Sequence, residues 1–499
     1  MRVVLFRGLV VLSVLFFAGL SLFFIGLPEA LRNFQLPRPL QRGSSGQAFP
    51  DIDISLDNPE SPSSTASKCE SEDIHVLPVE TGVPSWDSSR FLQGPPTTSF
   101  KENLLNDTYY ITSWADSGFT NQFMGYVNMI YVGLISDRIP ILPPFGPHHM
   151  SYDAGALRFS NVFNLTQLKK ALNRPILEWH EVKEEDSPSS LREPSAEERE
   201  SIGCWSTRKE AIANPLRVKS VVDHLKLDIA YTRVPSEARW LPNHENNDFL
   251  VFHQLVPYIF PRHPWRPVSD FPLMQASPSG LRLPPDEQVS CFDYLYYITS
   301  SRQMFEMQYS WSPPWRLVGT HLRFTDDLVD LAQDYLRRAF HMSDEQESPA
   351  RSAAVMPPFI AVHMRRGDFG HQCRDGRKPE ECFVPLEEYS KAVETIQHEL
   401  REKKAMDVEH VVLMSDEKDP KFWEETKKLG WAHFDHEQEK TVQKCSEWYP
   451  VLIDSVAQSL AAGFVGTGDS TYSLMSARRV EDWNAGPRFL VRRNLGHSS

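Results

Sequence analysis

The sequence predicts an α/β protein in which two Rossmann-like domains face a cleft. Its 499 residues exceed what one hydrophobic core usually organises, so we expect two domains with accessory segments. From residue 359 to residue 467, apolar runs of strand length alternate with segments of helix length. Such alternation is typical of a parallel sheet with right-handed crossover helices.

The carboxyl-terminal half supplies most of this pattern. Its predicted strands cover residues 359–363, 410–414, 431–434 and 464–467, and its predicted helices cover 386–401, 421–429 and 448–462. The first helix has a single apolar face, formed by Tyr389, Val393, Ile396 and Leu400. The amino-terminal half begins in the same way, with a strand at 108–113, a helix at 122–135 and a strand at 139–142. A stretch rich in Ser, Pro and acidic residues at 343–358 predicts the hinge between the domains.

The amino terminus predicts a membrane anchor. Residues 8–27 carry no charge and follow Arg2 and Arg7, and this length is enough to cross a bilayer. A cleaved signal peptide would have a shorter apolar core and a small-residue cleavage site. We therefore interpret 8–27 as a transmembrane signal-anchor after a short cytoplasmic tail at 1–7.

The remaining boundaries follow from composition. Residues 28–100 are rich in Pro, Ser, Gly and acidic residues, which predicts a disordered stem. The amino-terminal Rossmann-like domain then covers 101–350 and the carboxyl-terminal one covers 351–499. Arginines soon after the span oppose the usual positive-inside bias, so the orientation depends on other signals.

Cysteines and glycosylation sequons supply those signals. The six cysteines all lie outside the span, and their even number is consistent with disulfides in an oxidising lumen. Cys373 and Cys382 are the expected local pair. Zinc is the competing interpretation, but no C-x-x-C motif occurs. Sequons at Asn106 and Asn164 also favour a lumenal body, which predicts a single-pass type II protein of the endoplasmic reticulum or Golgi.

The net charge of −14 argues against a nucleic-acid partner, because no basic stripe offsets phosphate repulsion. An anionic ligand must therefore use a local basic site. The best candidate follows the strand at 359–363, where His363, Arg365, Arg366 and Asp368 end an apolar run. Open α/β sheets bind ligands at the carboxyl ends of their strands, and a guanidinium there can fork onto a diphosphate. Because side chains alternate along a strand, one arginine can face ligand and its neighbour can face structure.

Three further segments follow predicted strands in the same way. Residues 116–122 form a turn before a helix, where Gly118 permits close approach of an anion; Asn121 as a plain helix cap is the alternative. Residues 464–473 form a strand followed by a turn and by hydroxyl side chains at the start of a helix. Ser470 and Thr471 could donate to phosphate, and Tyr472 could stack on a base. An ordinary Ser helix cap is the alternative. Asp416 could accept the N–H donors of a guanine edge, or cap a helix.

Taken in this order, the motifs resemble those of the protein O-fucosyltransferase family, whose enzymes use GDP-fucose. The segment 363–368 is similar to the family's H-x-R-x-x-D motif, and 118–122 is similar to its G-x-x-N-Q turn. Ser415 and Asp416 resemble its S/T-D strand end, and 470–473 resembles its S-T-F-S segment. The resemblance covers roughly residues 108–480.

The resemblance implies a GT-B fold, inversion at the fucose carbon and no catalytic metal or other cofactor. It implies that Arg365 holds the β-phosphate and stabilises the leaving GDP, while His363 and Asp368 orient the site. Asn121 would lie near sugar and acceptor. The implied donor site, in the carboxyl-terminal domain and the facing turn, comprises Gly118, Phe119, Arg366, Asp416, Ser470, Thr471 and Tyr472.

The acceptor side is less defined. Some relatives carry a carboxylate immediately before the motif glycine, where it can act as a general base; here that residue is Ser117, and Asp116 lies one position earlier. The expected partners are GDP-fucose, a protein Ser or Thr acceptor, and the membrane through the anchor helix. A fucosyltransferase for glycans or polysaccharides, or a silent lumenal protein that binds GDP-sugars, are the alternatives.

Overall fold

The computed structural model of the protein describes residues 84–492 except 115, 186–192, 209–218, 242–248, 263–270, 272, 343–355, 374–377 and 379–381. The predicted tail and anchor lie outside these residues. Among the described helices, none combines the length and apolar character needed to cross a bilayer. The predicted hinge also falls mostly outside them, and the boundary between the two domains stays a prediction.

Two sheets organise the described part of the chain. The first has seven strands in the order β3-β2-β1-β8-β4-β5-β7 and is parallel except for the β5–β7 pair. Its strands are β1 (Tyr110–Ser113), β2 (Ile139–Leu142), β3 (Leu177–Glu178), β4 (Glu200–Ser206), β5 (Leu227–Arg233), β7 (Leu273–Gln275) and β8 (Val289–Phe292). The short strands β6 (Leu250–Val251) and β9 (Ile298–Thr299) pair separately.

The second sheet is wholly parallel and has the order β12-β11-β10-β13-β14. Its strands are β10 (Phe359–Met364), β11 (His410–Ser415), β12 (Ala432–His433), β13 (Gly463–Thr467) and β14 (Arg488–Val491). Its central strand, β10, is buried along its whole length, as a continuous apolar run in a parallel sheet predicts. The four strands predicted in this half are confirmed, and the edge strand β14 is an addition.

Helices connect and cover the strands. In chain order they are α1 (Phe100–Asn103), α2 (Phe119–Ile135), α3 (Leu165–Leu172), α4 (Trp179–Val182), α5 (Lys219–His224), α6 (Phe252–Ile259), α7 (Pro313–Leu317), α8 (Asp326–Ala339), α9 (Leu386–Lys404), α10 (Pro420–Lys428), α11 (Thr441–Lys444), α12 (Tyr449–Leu460) and α13 (Thr471–Asn484). The predicted helix at 122–135 begins earlier than expected, at Phe119, because Gly118 takes the cap position.

The predicted stem ends earlier than residue 100. Residues Ser88–Phe91 form a short 3₁₀ helix, and Leu92 pairs with Leu104. Phe100 is fully buried and packs edge-on against Trp179 at a ring distance of 5.5 Å. The composition of this stretch suggested a stem, but its few large apolar side chains attach it to the first sheet.

One hydrophobic core runs through both sheets. It contains Phe123 of α2 and Phe464 of β13, and α2 packs directly against α13. Arg479 of α13 is buried between the rings of Phe123, at 4.7 Å, and Phe324, at 4.9 Å. This packing fixes the start of α2 and the start of α13 within one continuous body, and both helix starts carry predicted site residues.

Candidate active site

Arg365 lies just beyond the carboxyl end of the central strand β10. Its guanidinium contacts the Asp368 carboxylate at 2.9 Å and the Asp416 carboxylate at 2.6 Å. Asp416 is in reach because β10 and β11 run in parallel register, with Met364 opposite Ser415. The side chain of Arg365 is 27% exposed, so the two carboxylates hold the guanidinium in a fixed orientation that still reaches solvent.

Arg366 points to a different environment. Its Nε contacts a Glu417 carboxylate oxygen at 2.5 Å, and its guanidinium lies 4.5 Å from the Phe383 ring centroid and 4.8 Å from that of Phe422. Burial alone would raise the pKa of the Glu417 carboxyl. Hydrogen bonds and the charge of Arg366 outweigh that effect and lower the pKa. These contacts hold Arg366 within the protein, and substrate binding by Arg366 stays a prediction.

His363 is a buried residue of β10. Its Nδ1 lies 2.6 Å from the Ser473 hydroxyl, which accepts the backbone N–H of Thr467 at 3.0 Å. Burial, and secondarily the charge of Arg365, lower the pKa of His363 to about 3. The imidazole is therefore neutral at physiological pH, and it supports the site without adding charge to it.

Thr467 connects three parts of this region, and sequence reasoning gave it no role. Its hydroxyl accepts the backbone N–H of Arg365 at 2.8 Å and lies 3.2 Å from the carbonyl oxygen of His363. The Tyr389 hydroxyl lies 2.7 Å from the Thr467 hydroxyl oxygen. The position of Thr467 at the end of a strand beside β10 is the sequence signal that could have revealed it.

The start of α13 combines capping and packing roles. Ser470 is the helix N-cap, and its hydroxyl accepts the backbone N–H of Ser473, which is the alternative considered for it. Thr471 is half-buried in the first turn. The Tyr472 ring lies 4.8 Å from the His363 ring, and its hydroxyl donates to the Val451 carbonyl at 2.7 Å. Burial raises the pKa of the Tyr472 hydroxyl well above its ordinary value.

The turn before α2 holds the remaining predicted residues. Gly118 is the helix N-cap, and Ser117 before it has a φ of 70°. Phe119 is 5% exposed, with its ring 5.1 Å from Phe145, so its ring packs in the core, and its contact with substrate stays a prediction. The Asn121 side-chain oxygen is buried and has no hydrogen-bond partner in the described part of the chain. An unpaired buried acceptor is costly, which makes this amide a candidate for contacting a bound molecule.

A residue that the sequence reasoning missed joins the two groups. His149, on the loop after β2, lies so close to Gly118 that a Cβ there would be 3.3 Å from its Cδ2 atom. Burial, His148 and then Arg365 lower the pKa of His149, and Asp368 acts in the opposite direction. His149 therefore lies against the amino-terminal turn, and the charges of Arg365 and Asp368 reach its imidazole. Its signal in the sequence was a His pair soon after a predicted strand end.

The predicted residues thus fall into two neighbouring groups. One group shares the carboxyl edge of the second sheet and contains His363, Arg365, Asp368, Asp416 and the start of α13. The other contains Gly118 and Asn121 at the start of α2, with His149 against Gly118. In the described part of the chain, no group of three or more His, Cys, Asp or Glu side chains is arranged to hold a metal ion.

Comparison with known proteins places this site in a family. A model of the GDP-fucose protein O-fucosyltransferase family matches residues 110–481. The chain belongs to this family. It is accordingly a GDP-fucose-dependent fucosyltransferase, as the order of motifs predicted. A search among curated proteins finds no match.

Solved structures of fucosyltransferases are also similar to the chain. POFUT1 in complex with GDP-fucose is 16% identical with a TM-score of 0.45, and the match covers 77% of this chain and 98% of that one. POFUT1 in complex with GDP is 16% identical with a TM-score of 0.44, covering 77% and 98%. The fucosyltransferase NodZ from Bradyrhizobium is 10% identical with a TM-score of 0.33, covering 74% and 93%.

Two disulfides lie in the described part of the fucosyltransferase. Cys204 of β4 is bonded to Cys291 of β8, and Cys373 is bonded to Cys382, which confirms the local pair expected from the sequence. Disulfides persist in oxidising compartments. They are consistent with a protein of the secretory pathway.

Proposed function

We propose that this fucosyltransferase transfers fucose from GDP-fucose to a Ser or Thr hydroxyl of a protein, with inversion at the anomeric carbon. The observation that carries the proposal is the Arg365 guanidinium, fixed by two carboxylates at the end of the central strand and still partly exposed. The description of the family to which the chain belongs supports a protein acceptor. A GT-B arrangement of the two Rossmann-like units is part of the same proposal.

Arg365 has the donors that a diphosphate requires. A guanidinium carries five N–H groups, and the two ion pairs use one on each terminal nitrogen. Three therefore stay available to the β-phosphate. As the bond to fucose breaks, negative charge grows on the leaving GDP, and a guanidinium already held in place stabilises that charge without reorganising. In this proposal Arg365 supplies the charge that a metal ion would otherwise provide, so the reaction needs no metal.

One of the two carboxylates beside Arg365 must turn away when the donor binds, before the reaction begins. Together they outnumber the single positive charge, and unchanged they would repel a diphosphate. Asp368 is 44% exposed and Asp416 is 28% exposed, so either side chain can turn away from Arg365. Asp416 would then accept N–H groups of guanine, and Asp368 would keep the guanidinium oriented.

The remaining residues have supporting roles in the proposal. The Thr467 hydroxyl joins the Arg365 N–H to the His363 carbonyl. The neutral His363 imidazole supports this arrangement through Ser473, which accepts the Thr467 N–H. Thr471 and the first turn of α13 offer N–H and O–H donors to phosphate, and the exposed part of the Tyr472 ring offers a face to the base. The unpaired side-chain oxygen of Asn121 would accept a hydrogen bond from the sugar or from the acceptor hydroxyl.

We also propose that the protein is a single-pass type II membrane protein whose catalytic part is lumenal, in the endoplasmic reticulum or Golgi. The disulfides support an oxidising compartment. The uncharged segment 8–27 supports the anchor.

The test uses the full chain expressed in a secretory host and purified in detergent. With GDP-fucose and EDTA we expect release of GDP. With a UDP-sugar we expect no release of UDP. Incubation with secretory-pathway proteins should yield fucosylated Ser or Thr residues by mass spectrometry. Transfer only to released glycans would contradict the protein acceptor, and loss of GDP release in EDTA would contradict a metal-free reaction.

A further inference from the structure

His149 has an unusual place in the chain. It lies on the loop that follows β2, has a φ of 64°, and its side chain is partly exposed. Its ring meets the His148 ring edge-on at 4.3 Å and passes close to Gly118. A left-handed conformation is uncommon for a residue with a side chain, and such conformations persist only where the surrounding structure imposes them.

The loop that carries His149 is fixed on both sides. On the amino-terminal side, the Gln122 amide donates to the Gly146 carbonyl at 2.7 Å and accepts the Gly146 N–H at 2.9 Å. On the other side, the backbone N–H of Ser151 donates to the Glu447 carboxylate at 2.7 Å. The loop therefore crosses from the first sheet to the region of the second, with His149 between its two attachments.

The charged groups near His149 keep it unprotonated. Burial lowers its pKa most, His148 and Arg365 lower it further, and Asp368 raises it. The result is a pKa below the ordinary value for histidine, so the imidazole is neutral at physiological pH and can accept a proton.

Two other candidate bases make hydrogen bonds within the protein. The Asp116 carboxylate accepts the backbone N–H of Ser117 at 2.7 Å, and its carbonyl accepts the Tyr294 hydroxyl at 3.1 Å. His363 is 6% exposed and bound to the Ser473 hydroxyl. His149 differs from both because its side chain is partly exposed and lies against Gly118, within reach of the charge of Arg365.

We propose that His149 is the general base for the acceptor hydroxyl, an inference that rests on the proposed function. The acceptor oxygen forms a bond to the anomeric carbon as the bond from that carbon to the β-phosphate oxygen breaks. The electron pair of the broken bond leaves with GDP. The acceptor proton moves to an unprotonated imidazole nitrogen of His149, which later releases it to solvent.

The test needs no identified acceptor, because water can replace the acceptor hydroxyl in slow hydrolysis of GDP-fucose. GDP release and GDP affinity are measured for the wild type and for His149→Asn, whose side chain tolerates a positive φ but is not basic. We expect GDP affinity within about twofold of wild type and a turnover loss of about a hundredfold or more. The wild-type rate should fall as pH drops below about 6.5, and this decline should be absent in His149→Asn.

Two variants make the test specific. His148→Asn removes the adjacent, exposed imidazole and should keep the wild-type rate at physiological pH. Because His148 lowers the pKa of His149, the decline in acid should persist in this variant and begin at a higher pH. His149→Gly suits the positive φ, and added imidazole should restore part of its turnover by replacing the missing base. If His149→Asn keeps the wild-type turnover and pH profile, His149 is not the general base, and the fucosyltransferase function is unaffected by that result. No GDP release by the wild type would overturn both.

Discussion

Burial of a neutral histidine makes the stability of this protein depend on pH. Burial and the charge of Arg365 lower the pKa of His363 to about 3, whereas an unfolded histidine titrates near 6.5. Between these values the unfolded chain binds a proton that the folded chain does not. The free energy of unfolding therefore falls as pH drops through about 6.5 towards 3, and this contribution is fully present above about pH 7.5.

The size of the effect follows from the same pKa. By linkage, lowering pH from about 7.5 to 5 should cost about 2 kcal/mol from His363 alone, and the cost grows to about 4 kcal/mol at pH 3. Because other groups also titrate in this range, the absolute change is less informative than the difference between the wild type and a variant without this imidazole.

The assay is urea unfolding followed by tryptophan fluorescence at about pH 7.5 and 5. His363→Asn loses the hydrogen bond to Ser473 and should be less stable at both pH values, but its loss on acidification should be about 2 kcal/mol smaller than that of the wild type. His398→Asn, on the exposed face of α9, is the matched control. Its loss of unfolding free energy on acidification should equal that of the wild type. Equal losses in His363→Asn and the wild type would refute the reasoning.

Three other changes have defined outcomes. A Cβ at Gly367 would lie 2.5 Å from the Asp416 carboxylate, so Gly367→Ala should weaken GDP binding about fivefold or more in calorimetry, with a similar urea midpoint; unchanged affinity would contradict this. Replacing both Cys204 and Cys291, which are 87 residues apart, should cost about 4 kcal/mol of unfolding free energy, and a cost below about 1 kcal/mol would contradict it. Asn121→Ala should cost under about 1 kcal/mol of stability because its oxygen is unpaired, yet it should slow GDP release about tenfold; wild-type turnover would contradict its role.

The sequence predicts the second sheet well because its signals are local. Each strand is a short apolar run followed by a helix with one apolar face, and parallel strands buried on both faces tolerate few polar residues. In the first sheet the strands β3, β4, β5, β7 and β8 escaped prediction. Strand β4 mixes Glu200, Ser201 and Gly203 with apolar residues, so its place in the sheet depends on contacts made far along the chain.

In the candidate site, too, local features could be predicted and contacts between distant parts of the chain could not. That a polar cluster follows β10, and that Arg365 and Arg366 have different environments, could be read from the alternation of side chains along a strand. The contact of Asp416 with Arg365 could not, because it depends on the register of β10 with β11. His149 was missed because its loop reaches the Arg365 cluster only through the folded arrangement of both sheets.

The central claim is that Arg365, and not its neighbour Arg366, holds the diphosphate of the donor. Calorimetric titration with GDP of the wild type, Arg365→Ala and Arg366→Met tests it most directly. Loss of a charged hydrogen-bonding group costs about 1.5–3 kcal/mol, so Arg365→Ala should bind GDP roughly tenfold to a hundredfold more weakly. Arg366→Met should keep the wild-type affinity and lose stability, because its contacts are to Glu417 and two aromatic rings. Wild-type GDP affinity in Arg365→Ala, or its loss in Arg366→Met alone, would contradict the account.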